Sequence, residues 1–194
     1  MSIFQIYLEL GIKHITDFKG YDHILFLVSL IASYQFFQWK KILKLITAFT
    51  IGHSISLALS ALNYVQFSID LIEFLIPVTI ALTALSNVFS QSEKWNSQFY
   101  IYEYIITMFF GIIHGLGFSV LLKSLLGSES SIILPLASFN IGLEIGQLSI
   151  VSVILILGFI TVKYTKLRQK DWKIILSTIA FLIALYLIID RRFW

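Results

Sequence analysis

The chain has 194 residues, 58% of them hydrophobic and only 13% charged, with a mean hydropathy of +0.87 and a formal net charge of +3. A soluble domain carries roughly 25% charged residues, so this composition excludes an ordinary water-soluble protein and makes the lipid bilayer the chain's solvent. The chain contains no cysteine. That rules out disulfides, thiolate metal sites and a cysteine nucleophile, and the small positive charge, gathered at segment ends, speaks for membrane topology rather than a nucleic-acid partner.

A membrane-crossing helix needs about 20 mainly apolar residues. The first apolar stretch, Ile3–Ile12, is too short for that. It also lacks the basic flank and small-residue cleavage site of a signal peptide, so it reads as an interfacial or re-entrant helix. Longer apolar segments follow at about Tyr21–Phe37, Ile42–Tyr64, Ile69–Phe89, Tyr100–Leu122, Ile132–Tyr164 and Ile174–Ile189. The loops between them are short and polar, the clearest at Gln91–Asn96 and Gly127–Ser131 and the most charged at Lys163–Lys173. The expected fold is all-α: a polytopic membrane bundle of about six transmembrane helices plus the short N-terminal helix, forming a single domain over residues 1–194. No internal repeat is visible, whereas inverted-repeat transporters show matching halves.

Basic residues orient the bundle. Lys40, Lys41, Lys44, Lys94, Lys163, Lys166, Arg168, Lys170 and Lys173 fall on one side, against Lys13, Lys19, Lys123, Arg191 and Arg192 on the other. The richer side is expected in the cytoplasm, with both termini outside, in the periplasm if the cell has an outer membrane. Along their helices, at 1.5 Å per residue, His53 then stands about 18 Å from Lys41 and His114 about 21 Å from Tyr100. Both depths point to the outer half of the bilayer.

All four histidines lie in or beside these apolar segments, as do several acids. Ionisable groups in transmembrane segments mark functional sites by default, and histidine with carboxylate is the ligand set of a borderline divalent metal. The first constellation is Gly20-Tyr21-Asp22-His23, with His14 upstream. Asp22 also suits a helix N-cap, and His14 fits a solvated histidine as well as a ligand. The second is Thr50-Ile51-Gly52-His53-Ser54, where a satisfied core histidine is the plain alternative. The third, Gly111-Ile112-Ile113-His114-Gly115, places a histidine on a small-residue packing seam. In the fourth, Asn140, Glu144 and Gln147 form one polar stripe at helical spacing, readable as a ligand set or a hydrogen-bond network. The fifth is Glu73-Phe74-Leu75-Ile76-Pro77, in which Pro77 withholds the amide that would meet the Glu73 carbonyl. The expected metal ligands are therefore His23, His53, His114, Asp22 and Glu144, with His14 and Glu73 as lesser candidates.

Together, the stretches Gly20–Phe26, Phe49–Ser54, Gly111–Gly115 and Phe139–Gln147 resemble the HupE/UreJ family of small bacterial membrane proteins. The resemblance implies a nickel or cobalt permease linked to hydrogenase or urease maturation. The better-studied permease pattern sets its upstream histidine closer to the Asp-His pair than His14 stands here, which marks a divergent branch.

The leading expectation is thus a divalent-metal permease for nickel, cobalt or zinc, with the bilayer and the ion as its partners. Its weak point is the cytoplasmic half of the bundle, where Asn87 and Glu103 are the main polar residues. The rival is a zinc-dependent intramembrane hydrolase acting on a lipid or membrane-anchored peptide. There, Glu144 or Asp22 would serve as general base, with Ser54 or Asn140 polarising the scissile carbonyl. A metal sensor without turnover is a third expectation.

Overall fold

The computed structural model describes residues 1–18, 20–90, 97–127 and 131–194. The predicted loop at Gln91–Asn96, the middle of the loop at Gly127–Ser131, and the basic residues Lys19 and Lys94 lie outside them. Seven α-helices are described: α1 (Ile3–Thr16), α2 (Asp22–Ile31), α3 (Trp39–Ala61), α4 (Ile69–Phe89), α5 (Ser97–Leu126), α6 (Ile133–Tyr164) and α7 (Gln169–Asp190). The last five are long and apolar enough to cross a membrane.

Local chemistry sets several of these boundaries. Ser2 caps α1 by accepting from the Gln5 amide, and the Gln5 side chain answers on the Ser2 amide, a reciprocal capping box. Ser68 caps α4 by accepting from the Leu71 amide. At the start of α7, the Asp171 carboxylate takes the Arg168 amide and guanidinium.

The segment expected to cross at Tyr21–Phe37 is a helix only over Asp22–Ile31 and is too short to span by itself. The short N-terminal helix completes it. On one side, α1 lies along the first half of α6: Gly142 faces Leu8 and Gly146 faces Ile15. Further along α6, Ile31 and Tyr34 at the far end of α2 share a groove with Ile154 and Gly158. So α1 and α2 run one after the other along α6, as two half-helices, the first ending at Thr16 and the second starting at Asp22. Discontinuous helices of this kind are how membrane proteins bring helix ends and loop backbone to mid-depth.

Two seams hold the bundle at close range. A Cβ at Gly52 would overlap the Met108 carbonyl oxygen, and one at Gly111 would overlap that of Phe49, so α3 and α5 touch backbone to backbone. Gly11 and Gly142 play the same part between α1 and α6, against the carbonyls of Phe139 and Leu8. Small residues are how helices approach closely in lipid. The outward faces of α5, α6 and α7 carry Ile105, Phe109, Val153, Ile156, Leu157, Ile179 and Leu182, all exposed, as a lipid-facing surface requires.

Side-chain bonds mark two ends of the bundle. Tyr100 donates to the Lys41 carbonyl, Lys173 to the Ser90 carbonyl and Gln169 to the Tyr34 carbonyl at the basic end. Tyr7 donates to the Leu125 carbonyl, Lys123 bonds Asn63, and Arg191 reaches the Glu73 carbonyl at the other.

Candidate metal centre

The break in the first crossing is where the histidines meet. His14 ends α1 and His23 opens α2, so the two half-helices present imidazoles from either side of the break. The glycine seam brings α3 and α5 close enough for His53 and His114 to join them, with the Gly115 position lying against the His53 backbone. Ring centroids are 4.6 Å apart for His14 and His23, 5.7 Å for His14 and His53, 6.1 Å for His23 and His53, and 5.1 Å for His23 and His114. His14, His23 and His53 each offer a nitrogen within 4.8 Å of the other two.

These rings sit in an apolar cage. Phe118 lies 3.9 Å from His14 between centroids, Phe139 stacks near His53 at 6.1 Å, and Phe26 stands 5.0 Å from His114. His53 and His114 are fully buried. Yet His14 Nε2, His23 Nε2, His53 Nδ1 and Nε2, and His114 Nδ1 are all buried without a protein hydrogen-bond partner. Each unsatisfied buried polar atom costs about 1–3 kcal/mol. Five together approach the whole stability of a typical domain, about 5–15 kcal/mol, so this set calls for an occupant.

The surroundings fix which nitrogens face inward. Asp22 Oδ1 accepts from the His23 amide at 3.1 Å and stands 3.4 Å from His23 Nδ1, leaving Nε2 free toward the cluster. Thr79 donates its proton to the Ile76 carbonyl at 2.7 Å. At 3.0 Å it therefore accepts from His114 Nε2, which leaves Nδ1 as the lone-pair nitrogen. Partners of this type orient metal-binding imidazoles.

The sequence candidates thus divide. His23, His53, His114 and Asp22 come together, and His14 stands at the centre with them. Glu73 lines the adjoining cavity, exposed. Glu144 faces elsewhere: it accepts from Thr47 at 2.7 Å, while Gln147 accepts from Thr50 at 2.8 Å, so the polar stripe of α6 meets α3 below His53. Ser54 donates back to the Thr50 carbonyl in its own helix. Asn140 keeps an unpartnered Oδ1. Thr79 and Arg191 were not singled out as site residues by the sequence. Arg191 donates to Asp22 Oδ2 at 3.0 Å and to the Glu73 carbonyl at 3.4 Å. That carbonyl is the one Pro77 deprives of its helical donor, a signal present in the sequence without a visible partner.

A cavity of about 170 Å³ adjoins the cluster, lined by His14, Asp22, His23, Glu73, His114 and Arg191 among others. From His114, a run of buried and half-buried polar groups leads toward the basic end. Thr83 donates to the Thr79 carbonyl at 2.8 Å, Asn87 donates to the Ser29 carbonyl at 2.6 Å, and Ser33 donates to Asn87 at 2.7 Å. Next to Ser33, Tyr34 donates to Glu103. The hydroxyls of Ser29, Ser33, Thr79 and Thr83 supply the polarity that the sequence seemed to lack below the histidines.

The family model described as HupE / UreJ protein matches residues 1–191. Comparison with curated proteins and with solved structures returned no match.

Proposed function

We propose that this chain, which belongs to the HupE/UreJ family, is a permease that carries a divalent transition-metal cation across the bacterial inner membrane. In this reading both termini face outside, and the ion pauses among His14, His23, His53 and His114. The observation that carries it is the set of buried imidazole nitrogens with no partner, with His14, His23 and His53 each bringing a nitrogen within 4.8 Å of the other two. Two nitrogens on opposite sides of one ion at about 2.0–2.1 Å stand roughly 4 Å apart, so a small inward motion of the rings closes the set. Thr79 orients His114, and Asp22 orients His23 from the entrance side of the site. Imidazole suits nickel, cobalt and zinc alike.

The polar run from Thr79 through Thr83, Asn87, Ser29 and Ser33 to Tyr34 and Glu103 supports an inward route. The hydrolase reading has less support. Sites for drug-sized ligands occupy about 300–1,000 Å³, whereas the cavity here measures about 170 Å³. Three of the four side chains that would have served it are also engaged elsewhere, Asp22 with Arg191, Glu144 with Thr47 and Ser54 with its own helix, while Asn140 keeps its unpartnered Oδ1.

Uptake of radioactive nickel, cobalt or zinc into proteoliposomes tests the proposal. The parent chain is expected to load the vesicles, and His53→Ala to fall to the level of empty liposomes. Equal uptake by both would overturn it.

A further inference from the structure

The entrance to the histidine centre is occupied by the chain's own tail. Arg191 follows the last residue of α7, and its amide caps that helix by donating to the Leu187 carbonyl. Its guanidinium lines the cavity beside His14, His23 and His114 and holds the Asp22 carboxylate and the Glu73 carbonyl at the distances given above. The residues that follow are clasped to α4, the helix of Glu73: Phe193 and Trp194 lie 5.8 and 5.0 Å from Phe74 between ring centroids. The Arg191 side chain is 24% exposed against 11% for Asp22 and 7% for His23. With the exposed Glu73, it therefore forms the solvent side of the cavity, and the histidines form its floor.

We infer that Arg191 is a tethered cation that guards this entrance and sets its charge threshold. A positive side chain at the mouth of a cation site repels approaching ions and already holds the carboxylate they need. An incoming ion reaches the imidazoles by taking the guanidinium's place at Asp22. A divalent cation offers that carboxylate more charge than the guanidinium does; sodium or potassium offers no more. The tail from Arg191 to Trp194 moves aside as the ion passes, with the end of α7 as its hinge. The inference rests on the permease reading, since it gives the gate for the same site.

The test uses full-length protein in nanodiscs with the metal ion alone as probe. In stopped-flow mixing with cobalt, Arg191→Ala is expected to bind about tenfold faster than the parent, the scale on which charged clefts alter association, and to become sensitive to competing potassium. Arg191→Lys, which keeps the charge, is expected to stay near the parent rate. Because the chain has no cysteine, spin labels can be placed at Asp70→Cys and Arg192→Cys, both exposed. Their separation is expected to shift when zinc is added and to stay fixed in a His53→Ala background. Cobalt binding at one rate in parent and Arg191→Ala overturns the gate and leaves the permease reading standing. If Arg191→Ala does not fold, the labels decide, and a tail unmoved by bound zinc overturns the gate. Absence of any metal binding by the parent overturns both.

Discussion

At the scale of single residues, burial without a partner is concentrated in the histidines. His53 is the extreme case, fully buried with both ring nitrogens unpartnered, so nothing in the protein explains its polarity. Glu144 is the opposite case: a carboxylate that looked like a ligand beside Asn140 and Gln147 but has its partner in Thr47. Elemental analysis of purified variants should therefore find Glu144→Gln loaded like the parent and His53→Ala empty; the reverse pattern would move the site to α6. His114 depends on Thr79, which holds its Nε2 at 3.0 Å. Thr79→Val keeps the shape and removes the acceptor, and losing an orienting partner typically weakens metal affinity by about 10–100-fold. A titration should show that loss, and Thr79→Ser should recover it. If Thr79→Val binds like the parent, His114 is held by something else or takes no part.

At the scale of elements, glycine does what hydrophobic burial does in soluble proteins. Lipid gives helices no apolar drive to associate, so close backbone contact supplies the attraction. The seams also aim the site, because Gly52 precedes His53 and Gly115 follows His114. Overpacking costs about 1–3 kcal/mol, and the obstacle at Gly52 is the Met108 carbonyl, backbone that cannot rotate away. Gly52→Leu is therefore expected at or beyond the upper end of that range, with a lower unfolding midpoint in detergent and loss of bound metal together. Gly127→Leu, where the nearest carbonyls would be at ordinary contact distance, should leave both unchanged. Their spacing puts Gly142 and Gly146 on one face of α6, and the seam at Gly111 and Gly115 was legible in the sequence. The partner of Gly142 was not, because Leu8 sits on a helix too short to register as a crossing. Hydropathy reports length, and α1 and α2 each fall short; only their stacking along α6 makes a whole span. His14 is undervalued for the same reason: its depth depends on that stacking rather than on its neighbours in the chain.

For the whole molecule, the broken crossing and the charge distribution together define a direction. At 1.5 Å per residue, His53 stands about 21 Å from the start of α3 and about 12 Å from its end. His114 lies near the middle of the Tyr100–Leu126 span. The centre is thus inside the bundle, displaced toward the end that carries Lys123, Arg191 and Arg192 and away from the end marked by Lys40, Lys41, Lys44, Lys163, Lys166, Arg168, Lys170 and Lys173. Lysine and arginine near the ends of spans are retained in the cytoplasm, and the imbalance among the described residues, those eight against Lys13, Lys123, Arg191 and Arg192, supports the proposed orientation. In that orientation the Arg191 end faces outward, with the cavity and its proposed guard toward the source of the ion, and the polar run through Asn87 to Glu103 leads to the cytoplasm. Single-cysteine labelling in intact cells tests this orientation directly. A membrane-impermeant maleimide should modify Arg192→Cys in intact cells, with the outer membrane permeabilised where there is one, and should reach Lys166→Cys only after the inner membrane is opened. The opposite result would reverse the orientation: the cavity would face the cytoplasm, the polar run would become the way in, and the same histidines would serve export instead of uptake.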